Sequence, residues 1–90
     1  MFNPHFVTLK SGLPVITIPM PSVKSVTVLA LANTGSRYEK PATEGIAHFF
    51  EHMVFKGTNK FPDAQSLASV VDSVGADFNA FTSKEYTGYY

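Results

Sequence analysis

Two histidines four residues apart, with a glutamate beside the second, constrain the fold of this 90-residue chain more than any other feature. The segment reads His48-Phe49-Phe50-Glu51-His52, and in an α-helix residues i and i+4 lie on nearly the same face. On a helical wheel of residues 44–56, the histidines and glutamates share a stripe about 100° wide, and mostly apolar residues lie opposite. The sequence therefore predicts a helix that packs its apolar side into a core and turns its polar stripe towards a cleft.

The histidine pair has the spacing and the chemistry of a zinc site. The ring nitrogens of His48 and His52 can converge on one ion, and hydrolytic zinc sites use three protein ligands and leave a position for water. Glu51 lies where its carboxylate could flank that water as a general base, in the order H-x-x-E-H. The alternative is two ordinary hydrogen-bonded histidines. A chance match is expected on the order of a few times per thousand such chains, which favours the metal site.

Composition narrows the choice of partners. Seven basic and seven acidic residues give a formal net charge of zero, so the chain lacks the concentrated basic face that nucleic acid or an anionic membrane requires. It has no cysteine, so a metal must be bound by histidines and carboxylates. The first ten residues do not resemble a signal peptide, and no apolar run approaches about eighteen residues. We expect a soluble protein that binds neither nucleic acid nor membrane. The compartment stays open, and the lack of a signal peptide and of cysteine favours the cytoplasm.

The first part of the chain is predicted to form three strands. It contains no internal repeat or linker, so we expect residues 1–90 to form a single unit. Two β-rich runs, 6–10 and 14–18, flank Ser11-Gly12 and predict a hairpin. A third strand is predicted over residues 25–32, where alternation gives way to a continuous apolar run.

Two helices are predicted after these strands. Thr43 is the expected N-cap of the helix that carries the histidines, and Gly57 is its expected C′ residue. Pro62 and Asp63 are expected to open a second helix, which Gly75 ends.

The remainder of the chain returns to β character. A hairpin is predicted over residues 76–90, with its turn at Ser83-Lys84. The resulting order β-β-β-α-α-β-β predicts an α+β fold with a largely antiparallel sheet and two helices on one face. The last strand reaches Tyr90 without a turn, cap or polar tail, and we therefore expect the chain to belong to a larger domain.

Four blocks of sequence carry a family resemblance. They are residues 9–15, the strand leading to Gly35-Ser36-Arg37, residues 45–58 around the two histidines, and residues 75–90. The third block, GIAHFFEHMVFKGT, resembles the signature helix of the pitrilysin/insulinase zinc peptidases, which are inverzincins. Within that family the sequence is most similar to bacterial processing proteases and to the β-subunit of the mitochondrial processing peptidase. The resemblance implies an incomplete pitrilysin-type domain, namely its N-terminal part.

The resemblance also implies roles for individual residues. It implies that His48 and His52 hold Zn²⁺ and that Glu51 activates the attacking water. It implies further that Asn79 and Ala80 lie on an edge strand that pairs with an extended substrate. Without it, the residue types would favour a turn or bulge at Asn79 and a small core residue at Ala80.

Two further points depend on the same resemblance. Phe49 and Phe81 could line a substrate subsite near the metal, although aromatic residues at such positions are more often part of a core. The family's third zinc ligand is a glutamate on a later helix, which this chain does not reach. Glu85 or Glu44, another chain, or solvent could supply the missing ligand. We expect a complementing chain or a second copy, because the last strand would be left unpaired.

Two functions are therefore predicted. The first is a zinc-dependent endopeptidase, as a fragment or split subunit, that cleaves extended peptides or unfolded proteins. The alternative is a non-catalytic peptide-binding or assembly module that retains the family scaffold. The intact pattern His48, Glu51 and His52 favours catalysis, whereas the missing later parts of the domain favour the binding module. A folding unit with no function of its own is a third, weaker possibility.

Overall fold

A computed structural model describes residues 2–90, and it has the element order that the sequence predicts. Its elements are β1 (His5–Thr8), β2 (Pro14–Thr17), β3 (Ala30–Ala32), two 3₁₀ helices (Ser36–Tyr38 and Pro41–Thr43), α1 (Ile46–Met53), α2 (Ala64–Ser73), β4 (Ala80–Thr82) and β5 (Thr87–Tyr89). The α+β class is thereby confirmed. That the whole chain forms one unit stays a prediction, and Met1 lies outside the described residues. Among these elements, no helix has the length and apolar character needed to cross a bilayer.

The strands form two antiparallel sheets. β1 and β2 pair as a hairpin, with Phe6 opposite Ile16. Its turn contains Gly12 with φ of 91°, a left-handed conformation that suits glycine. The other sheet has the order β3-β5-β4, so the last strand in sequence lies in the middle and β4 lies at one edge.

β3 is shorter than predicted, because only residues 30–32 of the expected 25–32 strand find a partner. Ala30 is paired with Tyr89, the last residue of β5, and residues before Ala30 have no neighbouring strand to pair with in the described chain. Val26 and Val28 are accordingly 89% and 78% exposed. Their apolar pattern is that of a strand interior, although no strand within residues 2–90 lies beside them.

The ends of α1 differ from the prediction. Thr43 is not its N-cap: it ends a 3₁₀ helix, and its hydroxyl donates to the Lys40 carbonyl oxygen. Gly45 takes the N-cap position, with φ of 84°. Gly57 is not the C′ residue either, because α1 ends at Met53 and short turns continue the chain to Lys56.

The ends of α2 and the turn between β4 and β5 agree with the prediction more closely than the ends of α1 do. Asp63 caps α2 by accepting a hydrogen bond from the Ser66 N–H at 2.7 Å, and these contacts with Ser66 lower the pKa of Asp63. Gly75 follows the helix with φ of 67°. The turn between β4 and β5 lies at Lys84-Glu85, one residue later than predicted, because the Ser83 N–H already donates to the Tyr86 carbonyl oxygen.

α1 packs against β4, and the two helices share an apolar cavity with the sheet. The Phe50 ring of α1 meets the Tyr89 ring of β5 edge-on, at 6.4 Å between centroids. A cavity of about 490 Å³ lies between them, with Leu67 of α2 on its wall. Few side chains are fully buried in the described residues, so much apolar surface of α1 and of the first strands remains open.

Candidate metal centre

A carboxylate from outside α1 fixes the start of that helix. Glu39 Oε1 accepts a hydrogen bond from the Gly45 N–H, and Oε2 accepts one from the Ala47 N–H, both at 2.8 Å. The first N–H groups of a helix lack partners within the helix, and its positive N-terminal end favours a negative charge. Glu39 therefore anchors α1 immediately before His48. The sequence alone does not indicate a role for Glu39, because Glu39 lies six positions before Gly45 and local capping rules do not reach that far.

The two predicted metal-binding histidines lie together on α1. The Nε2 atoms of His48 and His52 are 3.0 Å apart, and the ring planes are inclined by 58°. Zinc–nitrogen bonds measure about 2.0–2.1 Å, so two imidazole ligands at tetrahedral positions have nitrogens about 3.4 Å apart. An adjustment of a few tenths of an ångström would let both nitrogens bind one ion. The pair therefore fits zinc as two neighbouring ligands.

No third ligand accompanies the pair within residues 2–90, where no group of three His, Cys, Asp or Glu side chains is placed to hold a metal. Glu85 forms an ion pair with Arg37, at 3.0 Å between Oε1 and Nε, on the turn that follows β4. Glu44 lines the same cavity as His48 but does not complete a ligand group with it. Neither of the two in-chain candidates is placed as the third ligand.

Glu51, the predicted general base, contacts the sheet. Its Oε2 accepts a hydrogen bond from the hydroxyl of Thr82 on β4, and the Glu51 side chain is half-buried there. Tyr89 lies close enough to respond to this charge: burial and the negative charge of Glu51 raise the pKa of Tyr89. Glu51 is thus held on the side of α1 that faces the sheet, about one helical turn after His48 and one residue before His52. Like that of Glu39, the role of Thr82 is not indicated by the sequence alone.

A cavity of about 430 Å³ lies beside His48. Its wall combines the start of α1, the 3₁₀ segments before it and β4; the lining residues are Ser36, Glu39, Glu44, Gly45, His48 and Thr82. The cavity is open enough for solvent and has room for part of a substrate.

Of the predicted substrate-binding residues, Ala80 begins β4 at the edge of the sheet, and Asn79 directly precedes it. The backbone of Asn79 exchanges hydrogen bonds of 2.6 and 2.9 Å with Tyr90, so it faces β5. In an antiparallel pair the next residue faces the other way, which turns the backbone N–H and C=O of Ala80 outwards. The Asn79 side chain accepts a hydrogen bond from that N–H at 2.8 Å. The role of Asn79 and Ala80 in pairing with a substrate stays a prediction.

The two phenylalanines that were considered for a subsite are placed differently. Phe49 is 64% exposed on α1 and does not line the cavity beside His48. Phe81 alternates with Thr82 along β4, so its ring lies on the opposite face of the sheet, over Gly88 and against Tyr86. Phe81 therefore does not face α1, and a role for Phe49 in binding substrate stays a prediction.

Two convergent imidazoles and a carboxylate on one helix are the parts of a metal-dependent hydrolase. The sequence model of the insulinase family, peptidase family M16, matches residues 14–90, and the chain belongs to this family. The resemblance to pitrilysin/insulinase peptidases is thereby confirmed.

Relatives and a solved structure agree with this assignment. The chain is 54% identical over 82 residues to an uncharacterized zinc protease of Rickettsia bellii, covering 91% of this chain and 20% of that protein. It is 49% identical over 83 residues to one of Streptomyces coelicolor, covering 92% and 18%. A protease from Helicobacter pylori has a similar fold, with a TM-score of 0.84 and 33% identity, over 98% of this chain and 21% of that one. The chain thus spans about a fifth of the length of these proteins.

Proposed function

We propose that this chain forms the part of a zinc-dependent endopeptidase that provides two metal ligands and the general base. The observation that carries the proposal is the 3.0 Å approach of the His48 and His52 Nε2 atoms on a helix that also bears Glu51. Membership of a peptidase family whose relatives are named zinc proteases supports the same chemistry.

Each of these residues would have a separate role in the proposed hydrolysis of a peptide. His48 and His52 would hold the zinc ion, which, when bound, polarises a carbonyl group and makes water more acidic. Glu51 would take a proton from the attacking water and pass it to the leaving amine. The outward C=O of Ala80, and its N–H once that is released from the Asn79 side chain, would pair with an extended peptide, which aligns the peptide bond beside α1.

The substrate and the remaining parts of the site are also proposals. An edge strand recognises main chain in an extended form, so the substrate class is a peptide or an unfolded protein segment. The third zinc ligand would be supplied by a complementing chain or by a carboxylate of a second copy. The relatives, which are about five times longer, extend well beyond the matched residues. The cytoplasmic location and the expected lack of nucleic-acid or membrane partners stay predictions.

A substitution that preserves shape tests the proposal. Glu51→Gln should bind zinc as the unaltered chain does and lose hydrolysis of an unstructured fluorogenic peptide, because the amide cannot accept the proton. His48→Ala should lose both zinc and hydrolysis. Turnover by Glu51→Gln equal to that of the unaltered chain would remove Glu51 from the mechanism.

The second candidate function is a peptide-binding or assembly module. It is favoured by one observation: no third metal ligand is placed beside the histidines within residues 2–90. This function predicts one zinc ion per chain and binding of extended peptides without hydrolysis, even at high protein concentration. Zinc-dependent cleavage that Glu51→Gln abolishes would exclude it.

A further inference from the structure

We infer that Thr82 is a positioning residue that holds the general base and joins it to the strand that receives the substrate. The inference rests on the proposed function, since it concerns how Glu51 is presented in that reaction. It assigns a role to a residue whose hydroxyl lies in contact with Glu51 but has no contact with the histidines among the described hydrogen bonds.

The two oxygens of the Glu51 carboxylate have different surroundings. Oε2 accepts the hydroxyl hydrogen bond from Thr82, across 31 residues of sequence and between α1 and β4. Oε1 takes part in no protein hydrogen bond within the described chain, so it remains free to accept a proton from water. A carboxylate with one oxygen bound to the sheet has lost most of its rotational freedom, which favours one orientation for catalysis.

The same hydrogen bond keeps Glu51 apart from the ligand pair. An unrestrained carboxylate one residue from His52 could itself turn towards a metal ion, because carboxylate oxygens are good zinc ligands. Tying Oε2 to β4 directs the side chain to the sheet, whereas the two imidazoles meet each other. The geometry thus separates the base from the ligands on a single helix.

The position of Thr82 in β4 directs its backbone N–H and C=O to the free edge of the sheet. Phe81 lies opposite Gly88 and Ser83 donates to Tyr86, so the backbone groups of these odd-numbered residues face β5. The N–H and C=O of Thr82 therefore project from the free edge of the sheet, as those of Ala80 do. One residue then offers its main chain to an extended substrate and its side chain to the general base.

The residue type suits this double role. A threonine side chain is branched at Cβ and has few accessible χ1 rotamers, so a shift of its backbone is carried directly to its hydroxyl. A peptide that pairs with the backbone of Thr82 would steady the strand and, with it, the Glu51 carboxylate. Substrate docking and alignment of the base are coupled through this one side chain.

The inference is tested with three variants of the full chain. Thr82→Val removes the hydroxyl and keeps the shape, and Thr82→Ser restores a hydroxyl. Thr87→Val is the matched control: Thr87 lies directly opposite Thr82, is buried, and donates to the Thr34 carbonyl oxygen instead of to Glu51. Each variant is measured for zinc stoichiometry, for kcat and KM on an unstructured peptide, and for the ¹³C resonance of the Glu51 carboxylate without metal.

Thr82→Val should lower kcat by about ten- to a hundredfold, the usual effect of losing a partner that orients a metal-site group, with KM and zinc stoichiometry little changed. It should also move the Glu51 resonance in the metal-free chain. Thr82→Ser should recover most of the rate, and Thr87→Val should leave both the Glu51 resonance and kcat near those of the unaltered chain.

Thr82→Val with unchanged kcat, or with a Glu51 resonance no different from that of Thr87→Val, would overturn the inference. If Thr82→Val does not fold, the unaltered chain decides: a Thr82 hydroxyl proton protected from exchange, with a nuclear Overhauser contact to Glu51, supports it, and rapid exchange overturns it. Failure of the proposed function would be recognised by a different result, namely turnover by Glu51→Gln equal to that of the unaltered chain. In that event the metal-free resonance still decides whether Thr82 holds Glu51.

Discussion

Removing the Glu39 carboxylate should loosen the start of the metal-binding helix. In Glu39→Ala the N–H groups of Gly45 and Ala47 lose their common acceptor. Loss of an N-cap acceptor costs about 0.5–2 kcal/mol, and a negative charge at a helix N-terminus contributes about 0.3–1 kcal/mol. Because Ala47 is buried and water cannot easily replace its partner, we expect a loss of about 1–2 kcal/mol in the free energy of unfolding.

This loss is large enough to measure in a chain of this size. A change of 1 kcal/mol shifts the Tm of a 60–100-residue domain by about 4–8 °C, so Glu39→Ala should melt roughly 4–16 °C lower. Circular dichroism gives the Tm, and hydrogen exchange should show faster exchange at the Ala47 amide. Glu39→Gln keeps one good acceptor without the charge, and its Tm should lie between those of Glu39→Ala and the unaltered chain.

The matched control is Glu44→Ala, which removes the same charge near the same helix end. Glu44 makes no hydrogen bond to α1 among the described contacts, although it lines the cavity with Glu39. Its removal should change the Tm little. Equal Tm losses in Glu39→Ala and Glu44→Ala, or an unchanged exchange rate at Ala47, would refute the capping argument.

Two further predictions concern stability. The pKa of Asp63 is lowered in the folded chain, so its contribution to stability is present above its unfolded pKa of about 3.8 and is lost as pH falls through the folded value. Asp63→Asn keeps an acceptor but does not titrate. The difference in Tm between this variant and the unaltered chain should therefore disappear as the pH falls from 5 to about 2. A difference in Tm that stays constant over this range would contradict the prediction. Gly35→Ala would place a Cβ 2.5–2.6 Å from backbone atoms of Ser83 and Lys84 and should cost about 1–3 kcal/mol or more in a urea titration. Ser36→Ala, at an exposed neighbouring position, should lower the free energy of unfolding little. Equal urea midpoints for Gly35→Ala and Ser36→Ala would exclude the clash.

The features that could be predicted from the sequence are those that a few adjacent residues determine. The limits of α2 followed from Asp63 and Gly75, because a capping box and a left-handed glycine act within one turn. The approach of the two histidines followed from helical periodicity alone, since a spacing of four residues brings side chains together in any α-helix.

The features that sequence reasoning missed depend on contacts between distant segments. The start of α1 was placed at Thr43, whereas Glu39 folds back over a 3₁₀ helix to cap it. The length of β3 depends on which residues of β5 lie opposite it, which no pattern within residues 25–32 records. The contact of Thr82 with Glu51 requires knowing that α1 packs on β4, which is a property of the tertiary fold.

The central claim, that the two histidines of α1 bind one zinc ion, is tested most directly by zinc-edge X-ray absorption on the loaded chain. The chain has three histidines, and His5 on β1 supplies a matched control. We expect one zinc per chain with two imidazole nitrogens at about 2.0–2.1 Å, lost in His48→Ala and His52→Ala and retained in His5→Ala. Zinc without imidazole scattering, or bound equally by all three variants, would contradict the claim.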